Sequence, residues 1–380
     1  MVAGFPFPAE DRLLDRSSID LAGEGARILR VAVVSPLHES VPPKLYGGTE
    51  RVVSYLTEEL VALGHDVTLF ATGDSVTAAR LHAMAPRGLR LDPDCRDPVA
   101  HHVAMVHDVV EQADEFDVIH FNIDHVHFPA ARLARLPSLT TLHGRLDLPD
   151  LVPLFRRYAD MRLVSISDAQ RRPMPWASWL GTVHHGLPRD MLPMGAGRGG
   201  YLAFLGRISP EKRPDRAIRI ARRAGMPLRI AAKVEKSDLP YFESVVKPML
   251  REPGVEFVGE IGERDKARFL GDAAALLFPI DWPEPFGLVM IEAMACGTPV
   301  IAFPCGSVPE VVEDGVTGAI VQSEDAAVAA LARVADLERA ACRRAFEERF
   351  TAARMARDYV ALYRKVALQP RLAPARRAAA

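Results

Sequence analysis

The sequence predicts an α/β protein composed of two doubly wound domains, each built on a parallel sheet. Two observations lead to this prediction. From residue 28 onward, apolar runs of strand length alternate with amphipathic helical patterns, which is typical of parallel sheets covered by helices on both faces. A glycine- and proline-rich stretch at residues 188–200 divides the alternation into two series, as a linker would. At 380 residues the chain also exceeds the usual size of one core.

The alternation assigns an element to most of the chain. In the first series, strands are predicted at residues 29–35, 66–71, 117–121, 139–142, 162–166 and 182–184. In the second series, strands are predicted at 201–205, 228–232, 255–258, 274–278 and 300–303, and helices near 210–224, 239–250, 265–270 and 286–296. We therefore expect an N-terminal extension (1–26), a first domain (27–190), a second domain (191–350), a C-terminal helix (351–368) and a basic tail (369–380).

Composition excludes several classes of protein. The chain is 49% hydrophobic and 25% charged, as in soluble globular proteins, and its net charge of -2 does not favour nucleic-acid binding. Its four cysteines are widely scattered and have no metal or disulfide spacing, which agrees with a reducing compartment. Acidic residues interrupt the first 27 positions, and no run approaches the ~20 apolar residues of a membrane span. We expect a cytoplasmic protein whose membrane contact is at most peripheral.

The most informative stretch, residues 280–299, joins a predicted strand to a predicted helix. Pro283 and Pro285 exclude helix before about Phe286, because each fixes its own φ and disfavours helical geometry in its predecessor. The backbone N–H groups of Phe286, Gly287 and Leu288 would then form an anion site at the start of the helix.

Two glutamates flank this predicted anion site. Glu284 precedes the site, and Glu292 follows it within the helix. Carboxylates on both sides of an anion site suit a ligand that carries hydroxyl groups at both ends of a diphosphate. A nucleotide sugar has that chemistry.

A second stretch, residues 204–212, places two cations at the end of a predicted strand. The strand ends at Gly206, Arg207 follows in the loop, and Lys212 is expected in the first turn of a helix that begins near Pro210. Cations at a helix N-terminus oppose the helix dipole, and a bound diphosphate would explain their presence there. The alternative is a surface pair balanced by the neighbouring acidic residues.

Together, the two stretches resemble the E-x7-E element and the Arg/Lys strand–loop–helix of the retaining glycosyltransferases of family 4. The resemblance runs from about residue 29 to residue 321. It implies the GT-B fold, in which two Rossmann-like domains face each other across a cleft and a C-terminal helix crosses back onto the first domain. It also implies that Gly47 and Gly48 face the donor, that His143 contacts the donor sugar, and that backbone groups near Ile261 hold the base.

The implied function is transfer of a sugar from a nucleotide diphosphate-sugar to an acceptor hydroxyl with retention of configuration. Glu284 would hold sugar hydroxyls and Glu292 the ribose diol. The implied catalytic residues are His143, Arg207, Lys212 and Glu284. The implied donor-binding residues are Gly47, Gly48, Gly206, Ile261, Phe286, Gly287, Leu288 and Glu292.

No cofactor is expected beyond the nucleotide sugar, for which a UDP-sugar is the first expectation and a GDP-sugar the second, on family frequency. No metal is expected either, since no D-x-D-like motif is evident in a plausible site. The acceptor would be a carbohydrate, a lipid-linked or a small molecule, and no nucleic-acid partner is expected.

Three alternatives stay open at this point. One is another GT-B enzyme, such as a phosphorylase or a nucleotide-sugar epimerase, and one is a non-catalytic nucleotide-sugar-binding protein. A nicotinamide dehydrogenase is the third, although the G-x-G-x-x-G fingerprint is absent. A separate metal hypothesis rests on His120, Asp124, His125 and His127, chiefly through the His125–Val–His127 pair. No clear third ligand accompanies that pair, and we expect the loop at 120–127 to line the acceptor pocket.

Overall fold

The computed structural model describes residues 27–44 and 47–368. Within them it contains a seven-stranded sheet and a six-stranded sheet, and every strand pair is parallel. The prediction of two parallel-sheet α/β domains is thus confirmed. The N-terminal extension and the tail predicted from the sequence lie outside the described residues.

The first sheet has the strand order β3-β2-β1-β4-β5-β6-β7. Its strands are β1 Arg30–Val34, β2 Asp66–Thr72, β3 Arg80–Ala85, β4 Val118–Phe121, β5 Ser138–Thr141, β6 Leu163–Ser165 and β7 Trp179–Thr182. Its helices are α1 Gly48–Ala62, α2 Pro98–Glu111, α3 Phe128–Ala134, α4 Leu151–Arg157 and α5 Asp168–Arg171. β1 and β4 lie in the middle of this order, and nearly all of their residues are buried, as expected for strands covered by helices on both faces.

The second sheet has the order β10-β9-β8-β11-β12-β13. Its strands are β8 Leu202–Arg207, β9 Leu228–Lys233, β10 Val255–Gly259, β11 Ala275–Phe278, β12 Val300–Ala302 and β13 Gly318–Ile320. The helices that follow are α6 Pro214–Ala224, α7 Leu239–Tyr241, α8 Lys247–Met249, α9 Glu263–Gly271, α10 Leu288–Ala295, α11 Val308–Val311, α12 Glu324–Leu331, α13 Arg339–Arg349 and α14 Ala352–Leu368. A π-helical turn, Phe242–Val246, joins α7 to α8.

Three edge elements differ from the sequence prediction. Strands β3 and β13 were not predicted, and the strand expected at 182–184 is β7, Trp179–Thr182. β3 and β7 are largely half-exposed and β13 has only three residues, so none of them presents the continuous apolar run by which a buried strand is recognised.

The C-terminal helix α14 packs against the first domain. It contacts α1, β4 and β5, and the hydroxyl groups of Tyr359 and Tyr363 are hydrogen-bonded to Thr141 and His120 at 2.9 and 2.8 Å. The buried apolar side chains of α14 join those of α1 and β1 in one cluster. The chain therefore passes from the first domain to the second and returns. None of the helices within 27–44 and 47–368 is long and apolar enough to cross a bilayer.

Candidate active site

A cavity of about 700 Å³ lies at the carboxyl-terminal ends of the central strands of both sheets. In open α/β sheets, ligands bind at this edge of the strands, and the volume is within the range of small-molecule sites. All twelve residues that the sequence predicted line this one cavity: Gly47, Gly48, His143, Gly206, Arg207, Lys212, Ile261, Glu284, Phe286, Gly287, Leu288 and Glu292.

The amino-terminal ends of two helices meet in the cavity, one from each domain. α1 begins at Gly48 and α10 begins at Leu288. A Cβ atom added to Gly48 would lie 3.9 Å from Cδ1 of Leu288, so the two helix starts face each other closely. Since the first backbone N–H groups of a helix have no partner within that helix, this region carries donors and two positive dipole ends.

The predicted start of α10 requires a correction. The helix begins at Leu288 rather than near Phe286, because Gly287 has a left-handed backbone (φ 79°) that no α-helix contains. The first helical amides are therefore those of Leu288 and Val289. The Phe286 side chain is 2% exposed and packs edge-on against the His185 ring at a centroid distance of 4.9 Å.

Lys212 forms an ion pair with Glu284 inside the cavity. The same carboxylate oxygen of Glu284 accepts a hydrogen bond from Nε1 of Trp282 at 3.0 Å, and the Lys212 ammonium lies 5.0 Å from the Trp282 ring centre. Lys212 is not in the first turn of α6, as predicted, but in a preceding turn, where its N–H donates to the Ser209 carbonyl. The helix begins only at Pro214 because Arg213 adopts a left-handed conformation (φ 54°).

Arg207 contributes the second cation. It is the last residue of β8, not a loop residue, and its guanidinium lies 3.3 Å from Asp238 and 3.6 Å from Glu211. Its side chain is 35% exposed, so these two pairs are partly hydrated and weak. The guanidinium retains donors for a further anionic partner.

The Glu284 loop is braced from behind by the segment after β12, for which the sequence suggested no role. Ser307 donates from its backbone N–H to the Glu284 carbonyl at 3.0 Å and from its hydroxyl to the Phe286 carbonyl at 2.7 Å. A Cβ atom at Gly306 would lie 2.2 Å from the Glu284 carbonyl oxygen. Only glycine fits this contact, which fixes the loop that carries Glu284.

Glu292 lies in the second turn of α10 with a side chain that is 5% exposed. Its carboxylate accepts a hydrogen bond from Lys266 of α9 at 2.7 Å. Lys266 is not among the site residues predicted from the sequence. Nothing in the local pattern of α9 marks it, since its partner is 26 residues away.

His143 is neutral at physiological pH. Burial lowers the pKa of His143 to about 4. Its Nε2 lies 2.9 Å from Oδ1 of Asn122, so Nε2 carries the hydrogen and Nδ1 is a hydrogen-bond acceptor. The His185 ring stacks on it at 5.3 Å and also has a lowered pKa because of burial. His185 is not among the twelve site residues predicted from the sequence.

The 120–127 loop divides between cavity and core. The residues that line the cavity are Asn122, Ile123, Asp124, His125 and Val126. His120 and His127 are instead fully buried and hydrogen-bond to threonines of β5. No group of three His, Cys, Asp or Glu side chains within 27–44 and 47–368 is arranged to hold a metal ion.

Comparison with known proteins supports this description. Residues 46–185 match the family model "Glycosyltransferase Family 4", and residues 196–350 match the model "Glycosyl transferases group 1". The gap between these two matches, residues 186–195, overlaps the glycine- and proline-rich stretch at residues 188–200.

Curated relatives match over part of the chain. A D-inositol 3-phosphate glycosyltransferase of Mycolicibacterium smegmatis is 34% identical over 212 residues, which are 49% of this chain and 45% of that protein. One from Salinispora arenicola is 37% identical over 144 residues, 34% of this chain and 32% of that protein. The matched regions thus span less than half the length of these relatives.

Solved structures match over nearly the whole chain. AviGT4, a glycosyltransferase involved in avilamycin A biosynthesis, is 25% identical with a TM-score of 0.70, covering 90% of this chain and 99% of AviGT4. Anabaena HepE in complex with UDP and glucose is 17% identical with a TM-score of 0.67, covering 88% and 99% of the two chains. The two sheets, the facing helix starts and the family matches lead to one assignment: the chain belongs to the group 1 glycosyltransferases of family 4, which have the GT-B fold.

Proposed function

We propose that the protein is a retaining glycosyltransferase that moves a sugar from a nucleotide diphosphate-sugar to an acceptor hydroxyl without a metal ion. One observation carries the proposal: the starts of α1 and α10, Arg207, Lys212 and two buried glutamates line a single cavity. The helix starts and the two cations suit a diphosphate, and the glutamates suit hydroxyl groups on each side of it.

Each part of the donor has a matching part of the cavity. The diphosphate would lie between Gly48 and Leu288, within reach of Arg207 and Lys212. The Lys212 ammonium has three donors, so its pair with Glu284 leaves it able to bind phosphate. Glu284 would accept hydrogen bonds from the sugar, and Glu292 from the ribose at the far end.

The chemistry follows from where charge develops. The bond between the anomeric carbon and the diphosphate oxygen breaks, which leaves negative charge on the phosphate and positive charge on the sugar ring. Arg207, Lys212 and the two helix starts would stabilise the phosphate charge by preorganised electrostatics. The acceptor oxygen bonds to the anomeric carbon on the face that the phosphate leaves, and its proton passes to the departing phosphate. This route needs no protein nucleophile.

The neutral state of His143 fits a role in binding the donor sugar. An imidazole with a pKa of about 4 carries no charge at neutral pH, so it neither repels the positive sugar ring nor acts as a general acid. Its Nδ1 has no hydrogen-bond partner among the described residues and would accept a hydrogen bond from a sugar hydroxyl.

The donor base is proposed to be uracil, with guanine second, and the acceptor stays open among carbohydrate, lipid-linked and small-molecule compounds. The relatives give limited guidance. HepE was solved with UDP and with UDP-glucose, and the curated relatives are named for an inositol 3-phosphate acceptor.

The test starts with nucleotide binding. Thermal shift is measured with UDP, GDP and ADP and with UDP-glucose, UDP-N-acetylglucosamine, GDP-mannose and ADP-glucose, since a ligand at 100 times its Kd adds about 2.7 kcal/mol of stability. A nucleotide sugar that stabilises the protein is then incubated with an acceptor panel that includes inositol 3-phosphate, and NMR establishes the anomeric configuration of the product.

Retained configuration and acceptor-dependent release of nucleotide would support the proposal. Inverted configuration would refute the retaining mechanism. Epimerisation of the donor sugar in the absence of any acceptor would indicate an epimerase. Release of a sugar phosphate when inorganic phosphate is supplied would indicate a phosphorylase. Binding without turnover on any acceptor or water would indicate a non-catalytic protein.

A further inference from the structure

Four charged side chains of alternating sign form a chain of ion pairs from α1 of the first domain to α10 of the second. Arg51 of α1 pairs with Glu263, Glu263 lies 3.1 Å from Lys266, and Lys266 lies 2.7 Å from Glu292. We call Arg51, Glu263, Lys266 and Glu292 the cleft ladder. All four line the cavity, and the ladder joins the first domain to the glutamate placed at the ribose.

The cleft ladder is not a set of hydrated surface pairs. The side chain of Glu292 is 5% exposed, those of Arg51 and Lys266 are 14% and 15% exposed, and that of Glu263, which pairs with both cations, is 28% exposed. Ion pairs shielded from water are held in defined geometry, whereas exposed pairs fluctuate and contribute little.

The position of Lys266 in its own helix is unfavourable by itself. α9 begins at Glu263, so Lys266 is in its first turn, where the helix dipole disfavours a cation. Glu263 and Glu292 offset this cost, and both contacts hold the ammonium beside the Glu292 carboxylate.

We propose that Lys266 is a positioning residue for the ribose of the donor, and that through Glu263 and Arg51 it links ribose binding to the approach of the two domains. The inference rests on the proposed function, because Glu292 is the ribose ligand only if a nucleotide sugar binds. It adds a residue and a connection between domains that the proposed function does not contain.

The physical reason is the limited freedom of Glu292. A carboxylate has about four acceptor positions, and Lys266 uses one of them on Oε1. The remaining positions are then directed at two hydroxyl groups, as a ribose diol requires. Without Lys266, the Glu292 side chain can rotate, which weakens its hydrogen bonds to the ribose diol. The contacts that other residues make with the rest of the nucleotide are affected less.

The readout is the preference for ribose over deoxyribose. Calorimetry gives Kd for UDP and for 2′-deoxy-UDP, and likewise for GDP and 2′-deoxy-GDP, with the wild type, Lys266→Met and Lys266→Arg. We expect Lys266→Met to lower the preference for ribose about tenfold, the value of one charge-assisted hydrogen bond, and Lys266→Arg to restore part of it.

Lys247→Met is the matched control. Lys247 lies in α8 of the same domain, pairs with Glu243 at 2.6 Å, and does not line the cavity. If Lys266 has a purely structural role, Lys266→Met should weaken the binding of the ribose and the deoxyribose nucleotide by the same factor. An unchanged ribose preference in a folded Lys266→Met protein would overturn the positioning role.

The link between domains is tested by a double-mutant cycle on UDP affinity with Arg51→Met and Lys266→Met. The two side chains share Glu263, so the double variant should lose less affinity than the product of the single losses, by about threefold. Strictly multiplicative losses would overturn the link. A wild type that binds no nucleotide at all would refute the proposed function itself, which is a different result from either of these.

Discussion

Replacing Lys212 by methionine removes the charge at the proposed phosphate position and keeps the length of the side chain. Loss of one preorganised group that stabilises a developing anion lowers kcat by about 10²–10³-fold. The Lys212 side chain is 21% exposed, so solvent screens part of its effect, and we expect the lower end of that range, about 100-fold or 2.7 kcal/mol. Because the charge on phosphate grows in the transition state, kcat should fall more than KM rises.

The substitution also has a cost in stability. It leaves the Glu284 carboxylate, 9% exposed, with the Trp282 N–H as its remaining described partner. Breaking a fully buried pair costs 3–5 kcal/mol, and the exposure of Lys212 reduces this to roughly 1–2 kcal/mol. Adding Glu284→Gln to Lys212→Met removes the unpaired charge and should recover stability without recovering turnover.

Steady-state kinetics with the nucleotide sugar selected by thermal shift measures the effect on kcat and KM, and circular dichroism with thermal melting confirms folding. Lys247→Met provides the same chemical change outside the cavity and should retain wild-type kinetics. Turnover within a few-fold of wild type in a well-folded Lys212→Met protein would refute the assignment of Lys212 to the phosphate.

Three further predictions test other parts of the site. The Gly48→Ala variant should fold normally, because the added Cβ makes only an ordinary 3.9 Å contact with Leu288. The same methyl group fills the gap between the two helix starts, so the nucleotide affinity measured by calorimetry should fall at least several-fold. Unchanged affinity would contradict a phosphate at this position. The pKa of His143 is about 4 in the folded protein and about 6.5 in the unfolded chain. Between these pH values the unfolded chain binds more protons than the folded protein. The free energy of unfolding should therefore fall as the pH drops from 6.5 to 4, by up to about 3 kcal/mol from this residue. Melting temperature against pH should therefore have a shallower slope for His143→Gln than for wild type, and equal slopes would argue against a buried neutral imidazole. Incubation with EDTA should leave transferase activity unchanged, and activity that disappears and returns with Mg²⁺ or Mn²⁺ would refute the metal-independent mechanism.

Much of the site was predictable because its residues are fixed by local backbone chemistry. Pro283 and Pro285 prevent helix formation ahead of α10, and Gly287 supplies the left-handed residue from which the helix starts. The helix start and both flanking glutamates follow from that pattern. The predicted helix start was two residues early. Glycine adopts positive and negative φ about equally well, so the sequence does not reveal that Gly287 has a positive φ and lies outside the helix.

The strands were predictable where they are buried on both faces, as in β1, β4 and β11, since a continuous apolar run is their signature. The edge strands β3 and β13 were missed, because they lack that run and are defined by pairing with a neighbour rather than by composition.

By itself, the sequence determined the two alternating series and the loop–helix signals, which depend on interactions within about ten residues. Its resemblance to the family supplied the other site residues, Gly47, Gly48, His143 and Ile261. Only the tertiary structure decided which residues meet: Lys266 with Glu292, Arg51 with Glu263, and Gly48 with Leu288. These partners are 26, 212 and 240 positions apart. The first contact depends on how α9 and α10 pack within the second domain, and the other two depend on how the two domains are placed relative to each other. No local periodicity encodes that placement, because it results from the packing of the domains as a whole.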